Sequence, residues 1–462
     1  MRNKINHLHL PTSFIQSLQN APGFDENEFI QTHQSGQQIT SIRINPSKFD
    51  IRNSTFDIDE QVPWSSHGYY LNERPSFTLD PLFHAGAYYV QEASSMFLQE
   101  AIKQSCDLNK PLRVLDLCAA PGGKSTLIQS IICENSLLVC NELIKTRANI
   151  LAENITKWGA ANVVVTNNDA KDFQRLPSFF DLIVVDAPCS GSGLFRKDPE
   201  AIKEWSLNNV QLCSQRQQRI LADVMIALKP GGILIYSTCS YSTEEDETIS
   251  DWMLKNYDLT SEKLKIKNEW SIIETISPVS NAYGYRFYPD KVKGEGFFIA
   301  AFKKTAASLP TREIKLKAKS ANLTKPELEI AHTCIQHPDK FTFIKWQEEV
   351  LVIPAAIYES FLQLQAALYI KKAGVKLGSI IRNEIVPHHD WALSTIKNNT
   401  LQSVKLEEQT ALDYLRRKDI EINTDTKGWA LVTYKKLSLG LVKILPNRIN
   451  NYYPRDWRIL NR

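Results

Sequence analysis

Two of the chain's eight cysteines stand where covalent chemistry would want them. Asp186-Ala187-Pro188-Cys189 and Thr238-Cys239-Ser240 each follow a short apolar, β-branched run of strand type. If those runs lie side by side in a parallel sheet, both thiols project into one cleft. A lone cysteine in a globular chain is usually a small hydrophobe, and Cys106, Cys133, Cys140, Cys213 and Cys334 are read that way. A pair at adjacent strand ends is read instead as thiols placed for chemistry rather than as filler.

Acidic residues mark the same edge. Asp116, Glu142, Asp169 and Asp186 fall at or just after strand-like runs, and four carboxylates are costly to gather on one edge without a ligand. In an open parallel sheet that edge is the ligand crevice. Glu142 suits a ribose diol, and Asp169 an adenine amino group. The loop Cys118-Ala119-Ala120-Pro121-Gly122-Gly123-Lys124 brings bare backbone close to a ligand and opens a helix whose N-terminus favours a carboxylate. Gly123-Lys124-Ser125 imitates the end of a phosphate-binding loop, but Cys118 stands where that motif needs glycine. The Gly-x-Gly-x-x-Gly of a dinucleotide fold is absent. S-adenosylmethionine fits the set best.

A methyl donor facing two thiols narrows the acceptor. Carbon 5 of cytosine is a poor nucleophile until a thiolate adds to carbon 6 and makes the ring enamine-like. A free thiol titrates near ~8.5 and needs local help to ionise. Asp186 is placed to hold or protonate N3, and a base must then take the carbon 5 proton. The residues alone leave open whether Cys189 or Cys239 attacks.

These groups need a sheet to position them. Leu112 to Leu117, Leu137 to Asn141, Asn162 to Thr166, Asp181 to Asp186 and Ile233 to Ser237 read as five strands, alternating with helical stretches. The turn Lys229-Pro230-Gly231-Gly232 launches the fifth. Tyr285 to Tyr288 and Gly296 to Phe302 read as an antiparallel hairpin at the sheet edge. The expected fold is therefore α/β, a doubly wound Rossmann-like domain over residues 105–305. A mixed α+β subdomain precedes it (1–104), a basic linker follows (306–325), and 326–462 reads as one mostly β module with strands such as Glu349 to Ile353 and Gly428 to Tyr434.

Composition agrees with a soluble, multidomain protein: 462 residues, 43% hydrophobic, 23% charged, formal net charge +3. Basic residues cluster at Lys303, Lys304, Arg312, Lys315, Lys317, Lys319 and Lys325, and again at Lys443, Arg448, Arg455, Arg458 and Arg462 beside Tyr452, Tyr453 and Trp457. That pattern points to RNA. No secretory signal follows Arg2 and Lys4, and no apolar run is long enough to span a bilayer, so a cytoplasmic protein with no membrane partner is expected. No Cys-x-x-Cys pair or histidine spacing suggests a metal.

Three signatures in order, Leu117 to Lys124, Asp186 to Gly193 and Ser237-Thr238-Cys239-Ser240, resemble the NOL/NOP/Sun family of RNA cytosine-5 methyltransferases. Arg43-Ile44-Asn45-Pro46, Tyr89 to Ser95 and Gly294 to Phe298 agree. The resemblance implies Cys239 as nucleophile, Cys189 as the residue that helps release product, and Cys118, Ala119, Ala120, Pro121, Gly122, Gly123, Lys124, Glu142, Asp169 and Asp186 as the residues that hold the methyl donor. It implies Arg43 and Asn45 in an RNA-contacting subdomain. Towards the C-terminus, Leu439-Gly440 and Asn450 to Arg455 resemble the bacterial 16S ribosomal RNA methyltransferase F group, whose chain closes with a PUA-like module. The chain departs at Asp390-Trp391, at Leu445-Pro446, and at Tyr288-Pro289-Asp290, where a histidine is expected after the proline. A monomer acting on ribosomal RNA is the expectation. The alternatives are transfer RNA, another ribosomal site, or a ribosome-assembly factor without catalysis. DNA would require Cys189 as nucleophile and leave Thr238-Cys239 unexplained.

Overall fold

The computed structural model describes residues 9–305, 322–425 and 427–460. Arg2, Lys4, Arg462 and the linker's Arg312, Lys315, Lys317 and Lys319 lie outside the described residues. Seven strands of the ten-stranded central sheet frame the crevice: β1 (Arg113–Asp116), β2 (Leu137–Asn141), β3 (Val163–Thr166), β4 (Phe180–Asp186), β5 (Leu228–Thr238), β6 (Tyr283–Phe287) and β7 (Phe297–Lys304). Their order is 3-2-1-4-5-7-6. The first five are parallel and β7 runs antiparallel to β5. Strands this apolar are buried on both faces; β2 and β3 are buried throughout. One hydrophobic cluster covers each face of the sheet. The chain leaves β1 in one direction for β2 and β3, then returns to place β4 on β1's other side. That reversal opens a crevice at the carboxyl ends of β1 and β4.

The helices follow from local signals. α1 (Gly123–Gln129) begins after Gly122, whose φ of +116° is a conformation that strains any side chain. α2 (Lys145–Trp158) ends on the left-handed Gly159. α3 (Leu207–Val224) is capped by the Ser206 hydroxyl, which accepts from the Asn209 N–H at 3.1 Å, and α4 (Glu247–Asn256) follows β5.

Two local expectations change. The Lys229–Gly232 turn lies inside β5: pairing starts at Leu228, breaks register opposite Phe180–Leu182, and uses the positive φ of Gly231 to absorb the irregularity. The hairpin of β6 and β7 is present, but it is not the edge. Ile273–Ile276 pairs outside β6, and Leu259–Glu262 pairs the second half of β7.

The N-terminal region is α+β, with a four-stranded antiparallel sheet that includes Thr40–Ile44 and Tyr88–Val90. The C-terminal region holds two four-stranded sheets, one over residues 341–387 and one over 402–451. Between strands of the first, β8 (Ile370–Ala373) leaves to pair with β3 and extends the central sheet. The second sheet shares a core with the N-terminal one: Ile42, Ile44 and Tyr88 cluster with Val432, Val442 and Tyr453. Tyr453 is wholly buried and Trp457 packs edge-on against His389, so of the three aromatics expected among the C-terminal basic residues only Tyr452 is exposed. Lys304 likewise turns inward and donates to the carbonyls of Met225 and Leu228.

Candidate active site

Strands β4 and β5 run in register to their ends, with Asp186 opposite Ser237. The loops that follow bring Cys189 and Cys239 together, Sγ to Sγ at 3.0 Å. Backbone bonds fix this approach: the Gly193 N–H donates to the Cys239 carbonyl at 2.8 Å, and Tyr241 N–H to the Ser192 hydroxyl at 3.0 Å. Gly193 admits no side chain, since a Cβ there would stand 2.5 Å from the Gly296 carbonyl oxygen and 2.8 Å from that of Cys239. Asp186 sits alongside, accepting from the Ser237 hydroxyl at 2.8 Å and pairing with Lys124 Nζ at 2.8 Å.

The contact with the Cys239 sulfur, then burial and the negative charges of Cys239 and Glu245, push the Cys189 thiol well up, so Cys189 holds its proton. Burial works against the Lys124 ammonium, but Asp186 outweighs it, helped by Asp116 and Cys239, and the ammonium is held above its ordinary value. A persistent positive charge therefore lies among Asp186, Asp116 and the Cys239 sulfur.

The expected cofactor residues line the crevice. Leu117 N–H is tied to β4 through the Val184 carbonyl, and Ala119 N–H to β2 through the Asn141 carbonyl. Asp116 is wholly buried; one carboxylate oxygen accepts from the Ser125 hydroxyl at 2.6 Å, and the other has no hydrogen-bond partner among the described residues. Burial pushes its carboxyl up to about 7, with Asp186 and Glu142 adding to the rise and Ser125 and Lys124 opposing it. Glu142, 4% exposed, accepts from Ile144 N–H at 2.9 Å and faces Arg147 at 3.5 Å. Asp169 caps the turn after β3, accepting from Lys171 N–H at 3.1 Å. Burial and the nearby carboxylates keep the Cys118 thiol protonated, which makes it an inert wall of the loop. A ligand with sulfonium and ammonium charges answers both the unpartnered Asp116 oxygen and the mutual repulsion of Asp116, Glu142 and Asp186. The residues present fit S-adenosylmethionine.

Arg43 and Asn45, expected within an RNA-contacting subdomain, are themselves buried and hold its interior together. Arg43 is 1% exposed and grips the first turn of α1: Nη2 donates to the Thr126 hydroxyl at 2.5 Å and the Gly123 carbonyl at 3.2 Å, while Nε donates to Gln91 at 2.8 Å. Asn45 donates to the carbonyls of Gly86 and Trp158, both at 3.0 Å. Asp290, at the unexpected position after Pro289, has a buried side chain 3.3 Å from Lys291 Nζ.

Sequence reasoning missed the residues beneath the thiols. Arg286 donates to the Tyr241 carbonyl at 2.8 Å and lies 3.1 Å from Asp246, which accepts from Thr238 at 2.7 Å. Glu245 accepts from both cysteine loops. The available signal was position: Glu244-Glu245-Asp246-Glu247 follows the Thr238-Cys239-Ser240 strand end within a few residues.

Three family models match in chain order. The N-terminal domain of 16S rRNA methyltransferase RsmF covers residues 10–93, 16S rRNA methyltransferase RsmB/F covers 106–303, and the RsmF PUA domain covers 401–459. The ribosomal RNA small subunit methyltransferase F of Aeromonas salmonicida is 30% identical over 441 residues, 90% of each chain. That of Shewanella loihica is 30% identical over 413 residues, 86% of this chain and 83% of the other. Among solved structures, a methyltransferase homolog protein from Pyrococcus horikoshii is 28% identical with a TM-score of 0.51, covering 64% of this chain and 100% of that one. NSun6 from the same organism shares the fold at 20% identity and TM-score 0.53, over 64% and 99%. The cofactor is S-adenosylmethionine. By sequence, fold and domain order together, the chain belongs to the RsmB/F family of 16S rRNA methyltransferases.

Proposed function

We infer that this chain methylates carbon 5 of a cytosine in 16S ribosomal RNA through a covalent adduct with Cys239. The observation that carries the reading is the 3.0 Å contact between Cys189 and Cys239, with the Asp186–Lys124 pair beside it. S-adenosylmethionine, when bound, supplies the electrophilic methyl group.

Cys239 acts as thiolate and adds to carbon 6, so that the C5=C6 electron pair is free to take the methyl at carbon 5. Lys124 supplies positive charge near the ionised sulfur. Asp186 holds or protonates N3 and stabilises the adduct. Once a base removes the carbon 5 proton, its electron pair restores C5=C6, the C6–S bond breaks and the Cys239 thiolate is regenerated. Cys189, which keeps its proton beside the Cys239 sulfur, assists that release.

Membership of a family whose relatives are named for the small-subunit ribosomal RNA favours that substrate, and the match of residues 401–459 to a PUA domain favours RNA contact by the C-terminal sheet. Exposed Tyr452, Arg455 and Arg458 lie there. The chain is taken to act as a monomer, without DNA or membrane partners; among the described residues no helix is long and apolar enough to cross a membrane. The test is methyl transfer from labelled S-adenosylmethionine to unmodified 16S rRNA and, separately, to transfer RNA, with nucleosides resolved by chromatography. Label in 5-methylcytidine of 16S rRNA supports the reading. Label in transfer RNA alone replaces the substrate, and label in another nucleoside overturns the reaction.

A further inference from the structure

Glu245 lies in the turn between β5 and α4 and is wholly buried. Its carboxylate receives four donors. Oε1 accepts from the Ser190 N–H at 2.8 Å and from Gln217 Nε2 at 3.0 Å. Oε2 accepts from the Ser190 hydroxyl at 2.5 Å and the Ser240 hydroxyl at 2.6 Å. Ser190 directly follows Cys189, and Ser240 directly follows Cys239. One side chain therefore grips the residue after each thiol. Gln217 widens the grip: its Nε2 also donates to the Pro188 carbonyl at 3.1 Å, and its Oε1 accepts from Tyr236 OH at 3.0 Å.

A buried carboxyl is costly, and burial pushes Glu245 up. Four donors and no acceptor around its two oxygens offset that cost and suit the ionised form. Arg286 ion-pairs Asp246 and Glu247 on the next two positions, but no cation among the described residues pairs with Glu245. A structural tie between two loops needs no charge, so an unpaired buried anion next to two reactive thiols calls for a role.

We propose that Glu245 is a positioning residue for both thiols, its single buried carboxylate setting the sulfur-to-sulfur register on which formation and release of the adduct depend. The proposal rests on the cysteine reading above. Its charge acts with its geometry. Glu245 is one of the negative groups that oppose ionisation of Cys189. Lys124, paired with Asp186, feels the charge of Cys239. An anion acting on one sulfur and a cation acting on the other bias the shared proton towards Cys189. Removing the anion takes away that bias without touching either sulfur.

The experiment compares full-length wild type, Glu245→Gln, Ser190→Ala and Ser240→Ala with unmodified 16S rRNA transcript, naked and reconstituted into small subunits. Affinity for S-adenosylmethionine and circular dichroism check that each variant is folded. For Glu245→Gln the single-turnover rate is expected to fall about 100-fold with cofactor affinity changed less than about twofold. Loss of the nearby anion also eases ionisation of the thiol pair, so the acidic limb of the pH–rate profile moves down by about half a unit or more. Ser190→Ala and Ser240→Ala each remove one donor and are expected to slow the reaction about tenfold, so they carry the test if Glu245→Gln does not fold. A rate within twofold of wild type in the folded variants overturns the proposal, as does a slowed Glu245→Gln enzyme whose acidic limb stays in place. Cys239→Ala runs in parallel. If it still makes 5-methylcytidine, the cysteine reading has failed. If it is dead while the Glu245 and serine variants behave as wild type, only the present proposal has failed.

Discussion

Asp116 gives a prediction whose size follows from its surroundings. The carboxyl is wholly buried, one oxygen is unpartnered, and burial with the charges of Asp186 and Glu142 raises it from 3.8 to about 7. With that value it is roughly 9% ionised at pH 6 and roughly 91% at pH 8, so a cationic ligand favouring the ionised form gains about tenfold in affinity between them, about 1.4 kcal/mol. The sign reverses for the ligand-free protein. The folded state holds this proton more tightly than the unfolded chain, so the group's contribution to stability is fully present below pH ~4, declines as pH rises to ~7, and is constant above. Isothermal titration with S-adenosylmethionine at pH 6, 7 and 8 reads the first effect. Asp116→Asn keeps the shape and removes the titration. The ligand's own α-amine titrates nearby, so the quantity that matters is the ratio of wild-type to variant Kd at each pH. It should change about tenfold in favour of wild type from pH 6 to 8. A ratio that stays flat, or moves the other way, refutes the electrostatic account of the crevice.

Other perturbations separate the parts of the site. Arg43→Met should destabilise the protein by about 3 kcal/mol, because it strands the Gln91 side-chain oxygen in the interior and removes the donors to Gly123 and Thr126; urea unfolding measures this, and cofactor affinity should fall with it. An Arg43→Met protein as stable as wild type but weaker for RNA would contradict this interior role. Gly193→Ala forces a Cβ onto the carbonyls of Gly296 and Cys239. It should cut single-turnover rate at least tenfold while leaving cofactor Kd within about twofold, because the clash is on the thiol side of the crevice. Asn168→Ala removes a reciprocal pair of hydrogen bonds to the Tyr369 backbone, both 2.9 Å, at the start of β8. Hydrogen exchange of residues 369–373 should rise, at a stability cost of about 2 kcal/mol; unchanged exchange would mean that β8 holds to β3 without this clasp.

The legible parts of the chain were those where local pattern and tertiary role agree. Leu137–Asn141 is an unbroken apolar run between polar ends, and its expected and observed limits coincide. The two cysteines and the four acids were visible because strand ends in a parallel sheet share one edge. Burial of charge was not visible. Arg43 is held without a carboxylate by carbonyls, a hydroxyl and the face of Trp158 at 4.7 Å, partners brought from distant parts of the chain. Glu245 sits in an acidic run that reads as a solvated surface until Ser190, Ser240 and Gln217 close over it. Ile370-Lys371-Lys372-Ala373 carries little apolar pattern, because β8 joins the sheet through its backbone at an edge. The C-terminal region read as one module for a related reason: its two sheets are similar in composition, and what separates them is that the second packs on the N-terminal sheet.

The central claim is that Cys239 carries the cytosine and Cys189 releases it. The most direct measurement is denaturing electrophoresis of Cys189→Ala after reaction with 16S rRNA and S-adenosylmethionine, followed by nuclease digestion and mass spectrometry of the attached nucleotide. The account predicts a stable protein–RNA adduct mapped to Cys239, absent from Cys189→Ala/Cys239→Ala. An adduct on another residue, or efficient methylation by Cys239→Ala, would contradict it.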